Sequence, residues 1–448
     1  MMVILNPFCK KLFWVYNWIM FTDFKLKLFF KRHNFVSKMI VDEILTDMRR
    51  PKSENRGMDM SRTWMLPPSK NPENEKVIVI DAGGTNFRSC LVSFDGSGNA
   101  EISDFKKTFM PATEKEYSKD EFFSAIADRI EYLKGKAEKI GFCFSYSLDM
   151  TPEHDAIPNA FSKEFKARSV LGCPVGKCLK DELEKRGWKV SKISVINDTV
   201  GALLAGKVKE KDAGSYIGFI LGTGMNAAFV APEGNIWDEN GQNQIIVCES
   251  GKCNSFKLSD FDVDADKRTA IPVQFPLEKC CSGAYLGNTC LSFLKFAANE
   301  NLFSKKAAEN FKKLALLSTI DADNFLNGFD KNLQDKNENP VEKCCFTEKD
   351  RKIAFKLLDS AVDRCAHYAA SILAANLIAT EKGKSEGNSP AKEVCIVCNG
   401  TTFYKTHRLK ERTEKYLFDY AYKKCGISYK TVCVENDITL GTAVAALI

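Results

Sequence analysis

Asp198 follows the β-branched run Ile193-Ser194-Val195-Ile196-Asn197, and the residues after it, Val200-Gly201-Ala202-Leu203-Leu204-Ala205, have helical spacing. Ligands of α/β proteins collect at the carboxyl ends of strands, so a carboxylate there is placed to accept a proton. The same position also suits a helix cap, which Asp198 and Thr199 are both able to form. Two other stretches have the composition of phosphate-holding turns: Asp81-Ala82-Gly83-Gly84-Thr85-Asn86-Phe87-Arg88 and Leu221-Gly222-Thr223-Gly224-Met225-Asn226-Ala227. Glycines at a tight turn let main-chain N–H groups crowd an anion, because no Cβ stands in the way.

These residues need strands to carry them. Lys76-Val77-Ile78-Val79-Ile80 reads as a buried strand and Phe87 to Phe94 as its return; Tyr216-Ile217-Gly218-Phe219-Ile220 and Ala227-Ala228-Phe229-Val230-Ala231 repeat the design. Two such hairpins suggest two related lobes closing on one nucleotide, and an old duplication. Phe122, Phe123, Ile126, Ala127, Ile130 and Leu133 fall on one helical face, and the Ala-rich run from Ile353 to Ala379 is long enough to brace a lobe. Strands alternating with helices predict an α/β fold. Loops are expected over residues 50–75, 262–269, 331–342 and 381–392, and the closing Ile438 to Ile448 reads as a helix capped by Asp437.

Five motifs taken in order resemble the eukaryotic-type hexokinases, glucokinase included: Asp81 to Arg88; Phe144-Ser145-Tyr146 with Ser162-Lys163-Glu164-Phe165; Val195 to Gly201; Gly222 to Ala227; and Glu278-Lys279-Cys280-Cys281-Ser282-Gly283-Ala284-Tyr285-Leu286-Gly287. The likeness runs from about residue 39 to the end. It implies a two-lobed actin-like ATPase (ribonuclease H-like) fold with the active site in the inter-lobe cleft, binding a hexose, ATP and Mg2+. The domains then expected are an N-terminal extension over 1–38, a segment over 39–75 packing on the large lobe, a small lobe over 76–205 completed by 435–448, and a large lobe over 206–434.

By that resemblance Asp198 takes the proton of the sugar 6-hydroxyl and Lys163 neutralises charge. Ser145, Ser162, Lys163, Asn197, Asp198, Asn226, Glu249 and Glu278 form the sugar site, a set whose amides and carboxylates suit adjacent hydroxyls. Asp81, Gly83, Gly84, Thr85, Asn86, Arg88, Gly222, Thr223, Gly224, Gly400 and Thr401 contact ATP, and Asp81 reaches Mg2+ through water. The implied activity is an ATP-dependent hexokinase of the first step of glycolysis. A non-catalytic sugar sensor is the alternative, and a chaperone-type or cytoskeletal ATPase would have no use for the polar sugar set. The chain departs from the family at Val247-Cys248-Glu249-Ser250-Gly251, where Asn-Thr-Glu-Trp-Gly is usual, and at Asn399, where an acidic residue usually precedes Gly400. The first departure alters the wall behind the sugar and leaves the choice of hexose open.

The chain has 448 residues, of which 44% are hydrophobic, enough for sizeable cores. Its net charge of +6 resides in residues 1–38, where seven Lys or Arg meet one Asp, so a nucleic-acid partner is not indicated. The aromatic stretch from Leu12 to Phe21 is about half the roughly twenty residues a membrane-spanning helix needs. It could lie on a membrane surface, act as a targeting peptide, or precede a domain that begins at Met39. Seventeen cysteines with no secretory signal read as reduced apolar fillers in a cytoplasmic protein. Cys395 and Cys398 should face opposite sides of a strand, and Cys248 and Cys280 are candidates for oxidation near the site.

Overall fold

The computed structural model describes residues 23–83, 86–161, 165–329, 338–385 and 389–448. The strands in chain order are β1 (Ser61–Arg62), β2 (Lys76–Ala82), β3 (Asn86–Phe94), β4 (Ala100–Phe109), β5 (Lys139–Phe144), β6 (Ser147–Met150), β7 (Ala156–Ala160), β8 (Lys192–Ile196), β9 (Ser215–Leu221), β10 (Met225–Ala231), β11 (Gln244–Val247), β12 (Val394–Asn399) and β13 (Tyr429–Val432). The helices that matter most to the site are α1 (Val41–Arg49), α2 (Lys119–Ile130), α3 (Asp198–Lys209), α4 (Pro276–Cys281), α5 (Glu348–Ala379) and α6 (Asp437–Ala445).

The strands form two mixed sheets, β4-β3-β2-β5-β8 and β1-β11-β10-β9-β12-β13, plus the hairpin β6–β7. In the five-stranded sheet β2 pairs antiparallel with β3 and parallel with β5, which is parallel to β8. In the six-stranded sheet β9 pairs antiparallel with β10 and parallel with β12, which is parallel to β13. The pattern is the same in both: a hairpin whose first strand starts a parallel run. The near-continuous apolar composition of β2, β9 and β12 follows from burial on both faces.

Three cores result. One lies under the five-stranded sheet and takes all six apolar residues expected on α2 and its continuation, from Phe122 to Leu133. A second lies outside the six-stranded sheet around α5, whose N-terminus is fixed by a Thr347/Asp350 capping box. The third lies between the sheets, where Val77, Val79 and Cys143 meet Ile217's neighbour Tyr216, Ala228 and Val397 through α3 and α6. These two helices touch: a Cβ on Gly441 would lie 1.8 Å from the Gly201 carbonyl oxygen, so only glycine fits the crossing.

Four expectations change. A short helix, Pro340–Cys344, begins inside the loop expected over 331–342, capped by Asn339, whose Oδ1 accepts the Val341 N–H at 2.9 Å. Residues 260–266 are a helix, not a loop, because Ser259 and Asp262 form a capping box and Asp262 is buried against Arg364, its two oxygens 2.6 and 2.7 Å from the guanidinium nitrogens. Asn436, with φ of 54°, precedes α6, and Asp437 is the first helical residue rather than the residue before the helix, its Oδ1 accepting the Ile438 N–H at 2.8 Å. No structural break occurs at 38: residues 23–32 are helical, and Leu26, Phe29 and Phe35 are buried in the core around α5. The stretch 12–21 lies outside the described residues.

Candidate active site

Three adjacent parallel strands of the five-stranded sheet end together. Asp81 near the end of β2 is in register with Cys143 of β5, and Cys143 with Ile196 of β8. Ser145 follows β5, its N–H bonded to the Ala82 carbonyl at 3.3 Å, and Asn197-Asp198 follow β8. Asn197, not Asp198 or Thr199, caps α3: its Oδ1 accepts from the Thr199 N–H at 3.0 Å and the Thr199 hydroxyl at 2.6 Å. Asp198 is therefore the first helical residue, half-buried, with its carboxylate beside the positive end of the α3 dipole.

Asp81 is buried, and Arg88, opposite it on β3, donates to its Oδ2 at 2.6 Å. The Gly83 N–H bonds the Asn86 carbonyl across the hairpin at 3.2 Å. Gly84, Thr85, Ser162 and Lys163 lie outside the described residues.

The six-stranded sheet supplies the opposite wall. Asn226 at the start of β10 donates from Nδ2 to Glu249 Oε1 at 2.9 Å, while its Oδ1 accepts the N–H groups of Ala227 and Ser250 at 2.7 and 3.2 Å. Glu278 on α4 accepts the Met225 N–H at 2.9 Å. Glu249 itself holds a left-handed backbone, φ 53°, which few non-glycine residues adopt and which is stored strain at a candidate site. Its carboxylate retains some solvent contact but sits deep among protein atoms. Burial pushes it up to about 7; Lys252 opposes the shift, and Asp59, Asp198 and Glu278 add like charge. The structure thus brings Glu249, after the six-stranded sheet, within electrostatic range of Asp198, which follows β8 of the other sheet, and of Glu278 on α4.

The second glycine turn is held by neighbours. The Gly222 N–H bonds the Gly224 carbonyl at 2.9 Å, and the Gly222 carbonyl accepts from the Gly283 N–H and the Thr402 hydroxyl, both at 2.8 Å. Gly400 lies beside it at the end of β12 with φ of 117°, where a Cβ would meet the Leu221 carbonyl at 2.1 Å. Thr401 is exposed at the start of the short helix that follows, and Thr223 is exposed at the turn tip. Asn399 donates to both oxygens of Asp437, at 2.7 and 2.8 Å. Sequence reasoning missed Asp437, whose carboxyl is raised by burial and then by the charge of Asp81; an acidic residue just ahead of the last helix was the only available signal. It also missed Lys252, which donates to Asp59 Oδ2 at 2.6 Å and to the Ser147 hydroxyl at 3.2 Å.

Cys248 and Cys280 are fully buried, and burial drives both thiols upward, which disfavours the thiolate that oxidation uses. Cys395 and Cys398 do face opposite ways, the first into the core between the sheets and the second into the core around α5.

Two family profiles described as hexokinase match residues 29–208 and 216–448. Hexokinase-2 of Candida albicans is 27% identical over 415 residues, covering 85% of this chain and 82% of the relative, and Hexokinase-1 of Saccharomyces cerevisiae is 26% identical with the same coverage. The structure of the hexokinase from Schistosoma mansoni complexed with glucose superimposes with a TM-score of 0.72 at 22% identity, over 91% of this chain and 93% of that one. With two sheets of one pattern joined through α3 and α6, the fold is the two-lobed actin-like ATPase fold. The chain belongs to the hexokinase family and is a sugar kinase, a phosphotransferase with an alcohol group as acceptor.

Proposed function

We propose that this chain transfers the γ-phosphoryl group of ATP to the 6-hydroxyl of glucose or a related hexose, the first step of glycolysis, in the cytoplasm. One observation supports the reading: Glu249, held by Asn226, feels the charge both of Asp198, at a strand end of the other sheet, and of Glu278, which is held by the Met225 N–H. A hexose between them would exchange hydroxyl hydrogen bonds with Asn226, Glu249, Glu278, Asn197 and Ser145, leaving the 6-hydroxyl toward Asp198. Asp198 takes its proton as the oxygen attacks phosphorus, a role needing one base at hydrogen-bond reach. Lys163 and Ser162 come to the site through the family resemblance alone. The glycine turns at Gly83-Gly84-Thr85 and Gly222-Thr223-Gly224, with Asn86, Arg88, Gly400 and Thr401, hold the nucleotide.

For Mg2+ the protein offers Asp81. Among the described residues no group of three or more His, Cys, Asp or Glu could hold a metal ion. That donor set fits an ion carried chiefly by phosphate and water, which would offset charge on the phosphoryl oxygens. We assign the small lobe to 76–205 with 435–448, the large lobe to 206–434, and the segment 39–75 to the large lobe's surface, with α1 packed on α5. Among the described residues no helix is long and apolar enough to cross a membrane.

The test is ADP release, coupled to NADH oxidation, over a panel of glucose, mannose, fructose and galactose. Sugar-dependent ADP release supports the proposal. Sugar binding without ADP release would overturn it in favour of a sensor.

A further inference from the structure

Lys252 stands one turn after Glu249, its N–H bonded to the Glu249 carbonyl at 3.0 Å. Its ammonium reaches three other segments. It donates to Asp59, ahead of β1; to Ser147, the first residue of β6, two positions after Ser145; and it lies 5.6 Å from the ring centre of Phe275, the residue before α4 and its Glu278. The side chain is about a fifth exposed, at 22%. Four pieces of chain therefore converge on one cation: two flank strands β1 and β11 of the six-stranded sheet, one precedes α4, and one, β6, belongs to a separate hairpin.

We propose that Lys252 is a positioning residue of the hexose site: it fixes the strained turn of Glu249 and ties that turn to the β6–β7 hairpin, so that the Glu249 and Ser145 sides of the cleft keep a common geometry. The inference rests on the reading of Glu249, Asn226 and Ser145 as sugar contacts. Two arguments support it. A left-handed Glu249 persists only if its surroundings over-determine it, and the Lys252–Asp59 bond anchors the residue that closes its turn. The ammonium also favours ionised Glu249 against Asp59 from the segment before β1, Asp198 from α3 and Glu278 from α4, and an ionised carboxylate is the stronger acceptor for sugar hydroxyls.

The experiment measures glucose dissociation constants by calorimetry from pH 6 to 8.5, with KM and kcat from ADP release, for the full chain and for Lys252→Met, Lys252→Arg and Ser147→Ala. Lys252→Met should raise the glucose Kd and KM about tenfold while kcat stays within about threefold, and should move the pH midpoint of glucose binding up by about one unit. Lys252→Arg should restore binding to within about threefold, since it keeps the charge and the reach. Ser147→Ala should weaken binding about threefold without moving the midpoint, because it cuts the tie and leaves the charge. Wild-type Kd and midpoint in Lys252→Met would overturn the inference, as would a fall in kcat at unchanged KM. Failure of Arg to rescue would do so too, since the positive charge and its reach would then not be what matters. If the unaltered chain binds none of the sugars, the site reading fails and this inference with it; if it binds and the variants do not differ, this inference alone fails.

Discussion

The two sheets repeat one strand pattern, yet their hairpin ends are equipped differently. At the five-stranded sheet the turn carries charge: Asp81 is paired with Arg88, and Asp198 stands two strands away. At the six-stranded sheet the turn Gly222-Thr223-Gly224 is uncharged and is held from outside by Gly283 and Thr402, while amide and carboxylate groups are placed beside it by β10, β11 and α4. A repeated strand pattern supplies the same strand ends twice. On the proposed reading, what differs is whether the residues there move a proton and offset charge, or recognise and cradle.

That division of labour is open to direct attack. The largest effect should come from Asp198→Ala, with kcat falling by about 10² to 10⁴ and glucose affinity changing by no more than about threefold. A variant retaining more than about a tenth of the rate would remove the proton-accepting role from this half. Next is the junction between the halves. Gly441→Ala puts a methyl into the Gly201 carbonyl, so overpacking of about 1–3 kcal/mol or more is expected, read as a melting temperature lower by several degrees in calorimetry.

On the recognition side, Glu249→Gln should raise glucose KM about tenfold or more while lowering kcat far less. It should also flatten the pH dependence of stability. Glu249 is raised from 4.5 to about 7 in the fold, so its favourable contribution is full below about pH 4.5 and is lost as pH rises through about 7. The Gln variant without sugar should therefore gain stability over the parent at pH 8 and not at pH 4.5, a comparison that urea unfolding at the two pH values measures. The smallest effect concerns Ser250, which stands where the family usually has Trp. Without that ring behind Glu249 the preference for glucose over mannose should stay below about a hundredfold in kcat/KM, roughly 2.7 kcal/mol. A stricter preference would show that another side chain does the ring's work.

How much of this was legible in the sequence depends on how local each signal is. The two hairpins were readable because glycines follow apolar strand-like runs, and α2 because its five buried apolar residues, with Leu133 in the turn after it, keep one period. The helix over 260–266 was not, since its run of aspartates resembles a solvated loop and the partner that buries Asp262, Arg364, lies a hundred residues on. Residues 23–38 looked like an appendage because their basic residues dominate the composition, while the partners of Phe29 and Phe35, among them Phe261 and Phe293, are far along the chain. Strand-end residues such as Asn197, Asp198 and Glu249 could be named from motif order. Lys252 and Asp437 could not, for their meaning is in what they touch across the cleft.

The packing of α6 against α3 also bears on how the molecule is made. The strands of the five-stranded sheet all precede α6 in the chain, yet Gly141 packs against Thr442 and Gly201 against Ile438 of that later helix. Until then the nascent chain carries an open apolar face between two nearly finished sheets. Such a topology joins distant parts of the sequence late, which slows folding and favours transient chaperone cover. The helix that closes the core also begins with Asp437, the residue clasped by Asn399 next to Gly400, so late docking of α6 and ordering of that turn share one pair of hydrogen bonds.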